Sequence, residues 1–224
     1  MNNTIRKCKT GMIRAALFIS CIFLLSTAVQ ADTKVVIVPM VSSGGGKTPA
    51  PVAKTGQTVM HGTYDDGHLQ KGAAVEPASA RFTNNTDGTI TDTLTGLIWL
   101  TNGKCIHFRQ NDLSTFPQRN WIGAIVAANG LGAGYCGLND GSKPGDWRLP
   151  NVRELASLID YGKSNPALPE NSFRSIDIVN DLYWSSTTYS PGTTMAWAVS
   201  FYNGVVLAET KTLLKYVRPV RGGR

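Results

Sequence analysis

The sequence "DWRLPNVREL" (Asp146–Leu155) predicts the end of a strand followed at once by the start of a helix. Pro150 ends the strand, because proline has no amide hydrogen to donate to a sheet ladder. Asn151 is the predicted N-cap, and Glu154, three residues later, completes a capping box. The apolar stripe of the predicted helix then runs to Gly162 through Leu155, Leu158 and Ile159.

The side chains of this motif are predicted to hold the fold together rather than to perform chemistry. Trp147 is large and apolar, and we expect it to be buried. We expect Arg148 to be an internal hydrogen-bond donor to a loop carbonyl or to an acid such as Asp146, so that its removal would leave buried partners unpaired. The predicted structural motif consists of Asp146, Trp147, Arg148, Asn151 and Glu154.

A second helix is predicted upstream, over "RNWIGAIVAANG". Asn120 is its predicted cap and Gly130 its terminator. Its apolar positions recur close to helical spacing, at Trp121, Ile122, Ile125, Val126 and Ala128. Both helices are therefore predicted to be amphipathic and to pack on a sheet.

Short strands separated by turn residues flank the helices. On the N-terminal side, turns at Asp87-Gly88 and Thr95-Gly96 punctuate a meander whose last strand contains Trp99. On the C-terminal side, Asn203-Gly204 predicts a hairpin between "MAWAVSF" and "VVLAE", and Pro219 predicts an edge or a bulge in a last strand, "YVRPVR". The pattern predicts an α+β fold of short, mostly antiparallel strands with two amphipathic helices and long loops.

The start of the chain has the pattern of a secretory signal peptide over residues 1–31. Basic residues precede an unbroken run of apolar and small residues, and small residues allow cleavage after Ala31. Lipid attachment at Cys21 is an alternative that the preceding residues fit less well. Residues 32–54 are a short apolar run and a linker rich in Gly, Pro and Ser. The sequence therefore predicts an exported protein with no stable membrane span after cleavage, located in the periplasm, at the cell surface or outside the cell.

The net charge gives no case for nucleic acid as a partner. The leader contains four of the 22 basic residues and none of the 15 acidic ones, so its removal lowers the formal charge from +7 to +3. A surplus this small is compatible with polyanions in general but is far below that of typical nucleic-acid-binding domains.

Cleavage would leave Cys105 and Cys136 as the only cysteines. Thiols tend to oxidise in exported compartments, so the pair predicts a disulfide. Metal ligation is disfavoured, because no histidine lies at ligand spacing beside both cysteines. In the chain-entropy model such a bridge stabilises the fold by roughly 3 to 4 kcal/mol.

Several blocks follow one another in a characteristic order: "DGTITDTLTGLIWL", the tryptophan helix, "GLNDGSKPGDWRLPNVRELASLID", "YWSSTTY" and "YVRPVRGG". From Arg81 to Gly223 this order closely resembles the Lcl C-terminal domain family, formerly a numbered domain of unknown function. Residues 55–80 resemble the lead-in that many members have. Residues 81–224 are accordingly expected to be the Lcl C-terminal-like domain.

The resemblance implies a C-type-lectin-like fold, similar also to the formylglycine-generating sulfatase modifiers. The family is named after the C-terminal domain of a bacterial collagen-like adhesin, to which sulfated glycosaminoglycan ligands are attributed. We therefore expect an exported, non-enzymatic module that binds carbohydrate or sulfated polysaccharide in adhesion or biofilm formation. The chain has no collagen-like Gly-X-Y region, so the trimer that such a stalk forms is not expected to carry over.

Basic side chains cluster near the C-terminus and are candidates for charge-assisted hydrogen bonds to sulfate. Together with two aromatic residues that could stack on sugars, they make the predicted ligand-binding set: Lys211, Lys215, Arg218, Arg221, Tyr189 and Tyr202, with Arg224 close by. A solvated strand edge protected by charge against aggregation is at least as good an explanation of the basic residues. Trp184, Trp197 and Phe201 are expected in the core instead.

Two other functions remain open from the sequence. The first is a structural or protein-partner module of the cell envelope. The second is an enzyme similar to the formylglycine-generating enzymes, which the sequence disfavours because it shows no nucleophile-elbow motif. The histidines that follow the leader are His61, His68 and His107, and the two cysteines lie outside the C-terminal strand region where a redox pair would be expected.

The loop "NDGSKPGD" (Asn139–Asp146) raises calcium as a ligand, because Asn139, Asp140, Ser142 and Asp146 offer oxygen atoms. It lacks the regular alternation and the terminal Glu of an EF-hand loop. The sequence therefore favours an Asx-rich turn and predicts no metal and no cofactor.

Overall fold

The computed structural model describes residues 52–73, 81–111, 113–169 and 182–223. The chain divides into two compact units, 1–44 and 45–224, and every described residue belongs to the second. The predicted signal peptide with Cys21, most of the 32–54 segment, the end of the lead-in and Arg224 lie outside the described residues.

The described part of the chain is mixed α+β and consists mostly of antiparallel strands, as predicted. Its helices are α1 (Asp66–Leu69), α2 (Trp121–Asn129) and α3 (Val152–Ala156), with a 3₁₀ turn at Ile106–Phe108. Its strands are β1 (Phe82–Asn84), β2 (Thr89–Asp92), β3 (Leu97–Leu100), β4 (Gln118–Arg119), β5 (Leu182–Thr188), β6 (Met195–Ser200), β7 (Val206–Thr210), β8 (Lys215–Tyr216) and β9 (Val220–Gly222). Among these residues, no helix is long and apolar enough to cross a membrane.

The strands form two sheets. One has the order β1-β2-β3-β9 and is antiparallel throughout. The other has the order β4-β8-β5-β6-β7, in which only β5 and β8 are parallel. The predicted last strand is in fact two strands, because the chain leaves β8 in one sheet, passes Pro219 and enters β9 in the other.

Two apolar clusters form the core. The first joins β2, β3 and the residues around α3 to one face of the five-stranded sheet, with Trp99, Leu155, Leu158, Ile159, Tyr183, Val199 and Phe201 among its members. The second packs α2 against the other face, with Ala124, Ala127, Ala128, Leu131, Trp147, Trp184, Ala196 and Ala198 among its members. Burial of Trp147, Trp184 and Phe201 confirms the expectation for these aromatic residues.

The predicted caps of both helices are present, but two details of the helices differ from the prediction. Helix α2 buries its alanines and leaves Ile122 and Val126 61% and 65% exposed, because the bulky Trp147 and Trp184 fill the cluster that it faces. Helix α3 ends at Ala156 rather than near Gly162. Beyond Ala156 the chain continues in tighter i to i−3 turns, which still bury the predicted apolar stripe.

The main chain of the "DWRLP" motif joins the two sheets. The amide and carbonyl of Arg148 exchange hydrogen bonds of 3.0 and 2.9 Å with Val220 in β9. Two residues later, the carbonyl of Pro150 accepts a bond of 2.8 Å from the amide of Ser186 in β5. The main chain of the motif therefore connects the two sheets, which is compatible with a structural role.

The side chain of Arg148 does not have the predicted internal role. It is 44% exposed and pairs with Glu154 rather than with Asp146 or a loop carbonyl. The carboxylate of Asp146 instead accepts a bond of 2.8 Å from the amide of Lys143. Arg148 points outward because its neighbour Trp147 occupies the interior, and successive residues of an extended segment face opposite sides.

Residues 52–73, which comprise the end of the 32–54 segment and the described part of the lead-in, contact the segment after α3. The amide of Tyr161 donates a bond of 2.6 Å to the carbonyl of Thr55. Gly56 has φ +91°, and a Cβ atom there would lie 1.9 Å from Oδ1 of Asp160. Only glycine fits both the conformation and the close approach.

Candidate functional site

The basic residues that the sequence groups into a ligand-binding set are dispersed by the fold. Lys211 follows β7, Lys215 lies in β8, Arg218 lies between β8 and β9, and Arg221 lies in β9. Because β8 and β9 belong to different sheets, these side chains enter different environments.

Arg218 is fully buried, so its assignment to an exposed ligand-binding face is wrong. Its Nη1 donates bonds of 2.9 and 3.0 Å to the carbonyls of Leu100 and Thr101. Burial lowers the pKa of the guanidinium, and the neighbouring Tyr183 opposes that shift. The side chain connects the end of β3 to the segment between β8 and β9, which is a structural task.

Lys215 and Arg221 are also engaged within the protein. Lys215 is 8% exposed, and its Nζ lies 3.4 Å from a carboxylate oxygen of Glu209. The guanidinium of Arg221 pairs with Asp140 at 3.0 Å and lies 5.4 Å from the ring centroid of Trp147. Neither residue presents a free cation to solvent.

The ion pair of Arg221 also involves Asp140, one of the two acids in the loop Asn139–Asp146 that the sequence suggested as a calcium site. The side chain of Asp140 is buried, and its Oδ1 accepts bonds from the amide and the hydroxyl of Ser142 at 3.1 and 2.6 Å. The Ser142 hydroxyl accepts a bond of 2.9 Å from Nε1 of Trp147. The predicted Asx turn is therefore present. Within the described ranges, no three His, Cys, Asp or Glu side chains are grouped so that they could hold a metal ion.

Lys211 is the basic member of the predicted set that is partly exposed and makes no ion pair with a residue that the structure describes. Its Nζ lies 3.9 Å from the ring centroid of Trp121 and donates a bond of 2.9 Å to the hydroxyl of Thr188. Trp121 is held in turn by a bond of 2.8 Å from its Nε1 to the carbonyl of Ser185. Lys211, Trp121 and Thr188 are each partly exposed, and together we call them the Lys211 cluster.

The predicted aromatic residues lie elsewhere. Tyr189 packs edge-on against Trp197, which is partly exposed rather than in the core, with ring centroids 5.2 Å apart. Thr188 lies opposite Ala196 in the sheet, and Ala196 and Trp197 point to opposite faces because they are neighbours in β6. The Tyr189–Trp197 pair and the Lys211 cluster therefore lie on opposite faces of the sheet.

Tyr202 lies in the turn between β6 and β7 and is partly exposed. Its carbonyl accepts a bond of 2.7 Å from the amide of Asn165. Tyr202 is therefore part of neither the Lys211 cluster nor the Tyr189–Trp197 pair, because it lies in a different turn of the chain.

Two surface cavities, one reaching the N-cap of α3 and one along α3 itself, were not apparent from the sequence. One of about 680 Å³ lies beside α2 and is lined by Ile125, Val126, Asn129, Gly130, Pro144, Arg148, Leu149, Asn151 and Ser186. The other, of about 670 Å³, is lined by Val52, Ala53, Arg81, Leu94, Thr95, Leu97, Arg153, Glu154, Ser157 and Gly223. Their walls come from segments distant in sequence, so no local pattern could have revealed them.

The predicted disulfide between Cys105 and Cys136 is confirmed, with Cα atoms 5.2 Å apart. A disulfide fits an exported protein, because cytosolic thiols are usually kept reduced. Two of the three histidines that follow the leader have a ring nitrogen in contact with the main chain. Nε2 of His107 lies 3.1 Å from the carbonyl of Ala127, and Nδ1 of His68 accepts a bond of 3.0 Å from the amide of Tyr64.

No protein with a curated description matches this chain. The family model described as the Lcl C-terminal domain matches residues 88–221, which include α2, α3 and the strands from β2 to β8. The chain belongs to the Lcl C-terminal domain family.

Proposed function

We propose that this chain is an exported, non-enzymatic binding module with a C-type-lectin-like architecture. Its proposed ligand is carbohydrate, specifically sulfated polysaccharide, and its proposed place of action is the cell surface. Membership of the Lcl C-terminal domain family and the disulfide support a surface module of the adhesin type.

The Lys211 cluster is the observation that carries the proposal. An ammonium group has three N–H donors, and Thr188 accepts from one of them. Contact with the ring of Trp121 and the bond to Thr188 orient the Lys211 ammonium before a ligand arrives. An oriented, partly exposed cation beside an aromatic ring suits a sulfate group attached to a sugar.

Heparin chromatography of the protein without its first 31 residues tests the proposal. We expect retention at low salt and elution as the ionic strength rises, because exposed charges are then screened. Lys211→Ala should elute at lower salt than the unmodified protein. Lys143→Ala, which removes the same charge from another exposed position, should elute much closer to it.

Heparin retention of the unmodified protein, and its change in Lys211→Ala and Lys143→Ala, can each contradict the polyanion proposal. Absence of retention at low salt would refute it. Equal shifts for Lys211→Ala and Lys143→Ala would show that net charge, and not the Lys211 cluster, determines retention. Circular dichroism of each variant establishes that the fold is intact.

One observation favours the second candidate function, a module that binds a protein partner in the cell envelope. The partly apolar cavity beside α2 adjoins the exposed Val126 of that helix. Such a surface suits a protein partner better than it suits a sulfated sugar. Glycan arrays without a hit, together with a specific purified partner whose binding is lost in Val126→Glu, would favour this candidate.

A further inference from the structure

The cavity between the end of the 32–54 segment and α3 has the dimensions and the lining of a small-molecule site. Its volume of about 670 Å³ falls within the range of known ligand pockets. The side chains of Val52, Ala53, Leu94 and Leu97 give it aliphatic walls. These walls suit a ligand with a short hydrocarbon part.

A buried arginine with an unused donor also lines this cavity. Arg81 is 3% exposed, and its Nε and Nη2 donate to the two carboxylate oxygens of Asp92 at 3.0 and 2.8 Å. Nη2 also donates to the carbonyl of Ser157 at 2.9 Å. Nη1 is buried and has no hydrogen-bond partner among the described residues. A buried donor without an acceptor is costly, so an acceptor supplied from the cavity would be favoured.

The net positive charge around the cavity favours an anionic ligand. The charge of Arg81 is matched by Asp92, and that of Glu154 by Arg148. Arg153 lines the same cavity, is exposed, and makes no ion pair within the ranges that the structure describes. The surplus is thus one positive charge beside a buried N–H donor and an aliphatic wall.

We propose that this cavity binds a monocarboxylate with a short aliphatic chain. The carboxylate accepts from Nη1 of Arg81 and is attracted by Arg153, and the hydrocarbon chain lies against Leu94, Leu97 and Val52. The site is separate from the Lys211 cluster and does not depend on the proposed polysaccharide binding.

Isothermal titration of the protein without its first 31 residues with hexanoate and with its neutral analogue hexanamide tests this site. We expect hexanoate to bind about tenfold more tightly, because a charge-assisted hydrogen bond is lost in the amide. Arg153→Gln should weaken hexanoate binding about two- to fivefold, as expected for an exposed charge. Ala53→Phe, which keeps every charge but narrows the cavity, should abolish it.

Matched controls separate this site from general electrostatics and from the polysaccharide proposal. Lys143→Gln and Lys211→Ala should both bind hexanoate as the unmodified protein does. Absence of hexanoate binding at millimolar concentration, equal affinity for hexanamide, or unchanged binding in Ala53→Phe would each overturn the proposal. Elution of Lys211→Ala from heparin at lower salt, with intact hexanoate binding, would show that the two sites are independent.

Discussion

Arg148 and Glu154 meet at two points, with Nη1 2.7 Å from Oε2 and Nη2 2.6 Å from Oε1. The hydrogen bond to Glu154 is the main reason why the pKa of the Arg148 guanidinium is raised. Oε2 also accepts a bond of 2.8 Å from the amide of Asn151, as part of the capping box of α3. One carboxylate therefore serves both the ion pair and the start of the helix.

This shared carboxylate predicts unequal effects of substitution at Arg148 and Glu154. Arg148→Ala should lower the free energy of unfolding by about 0.5 to 1 kcal/mol, because the pair is solvent-screened. Glu154→Ala should cost about 1 to 2 kcal/mol, because the cap is lost as well. Urea denaturation measures both, with the exposed Arg153→Ala as the control. A loss above about 3 kcal/mol for Arg148→Ala would restore the internal role that the sequence suggested.

Arg218→Ala should destabilise the fold instead of weakening ligand binding selectively. The substitution leaves the carbonyls of Leu100 and Thr101 without this donor and creates a cavity in a fully buried place. We expect a loss of about 3 kcal/mol or more in the free energy of unfolding. Thermal unfolding measures it against Lys211→Ala, for which we expect a change below about 1 kcal/mol. Reduced heparin retention at unchanged stability of Arg218→Ala would contradict the structural assignment.

The buried ion pair between Arg81 and Asp92 predicts a large effect of breaking it from one side. Asp92→Ala leaves the Arg81 charge buried, and it removes the acceptor of the Leu94 amide. We expect a loss of about 3 to 5 kcal/mol in the free energy of unfolding. Asp146→Ala, which removes an exposed carboxylate, is the matched control and should cost about 1 kcal/mol. Similar losses for the two variants would disprove a special role of the buried pair.

The hydrogen bonds of the Asp65 carboxylate lead us to expect that the lead-in opens locally as the pH falls. Its carboxylate accepts bonds from the amides of His61, Gly62 and His68, and the bond from His61 is the main reason why its pKa lies below the usual value. Because the pKa of Asp65 is lower in the folded state than in the unfolded state, the ionised carboxylate stabilises the folded lead-in at any pH above the pKa of the unfolded state. This stabilisation is lost as the pH falls through the pKa of the folded state.

Hydrogen exchange followed by NMR checks this prediction. Asp65→Ala should reduce the protection of the His61 and His68 amides at neutral pH, while β5 and β6 stay protected. Acidification of the unmodified protein should have the same local effect. Equal protection of the lead-in amides in the variant would contradict it.

Removal of the disulfide tests how much the loop between Cys105 and Cys136 depends on it. The two cysteines are 31 residues apart, and the double variant to serine should lose about 3 to 4 kcal/mol. Guanidinium denaturation gives the value, and dithiothreitol treatment of the unmodified protein should lower stability similarly. A loss well under 1 kcal/mol would show that residual structure in the unfolded chain already restricts this loop.

The sequence by itself determined the features that depend on neighbours within a few residues. The cap at Asn120, the capping box at Asn151 and Glu154, and the turns between strands were predicted because their hydrogen bonds close locally. The disulfide was predictable for a different reason, since only two cysteines follow the leader.

Only the tertiary structure decided which charges are available to a ligand. Arg218 and Lys211 are both basic residues near the C-terminus, and the sequence does not distinguish their roles. In the fold, Arg218 is buried and donates to the carbonyl of Leu100, 118 residues away. Lys211 stays partly exposed beside Trp121. Nη1 of Arg81 has no hydrogen-bond acceptor among the described residues, and the residues around it likewise come from segments far apart in the chain. Burial and pairing of a charge depend on which distant residues pack around it, and local periodicity contains no information about that.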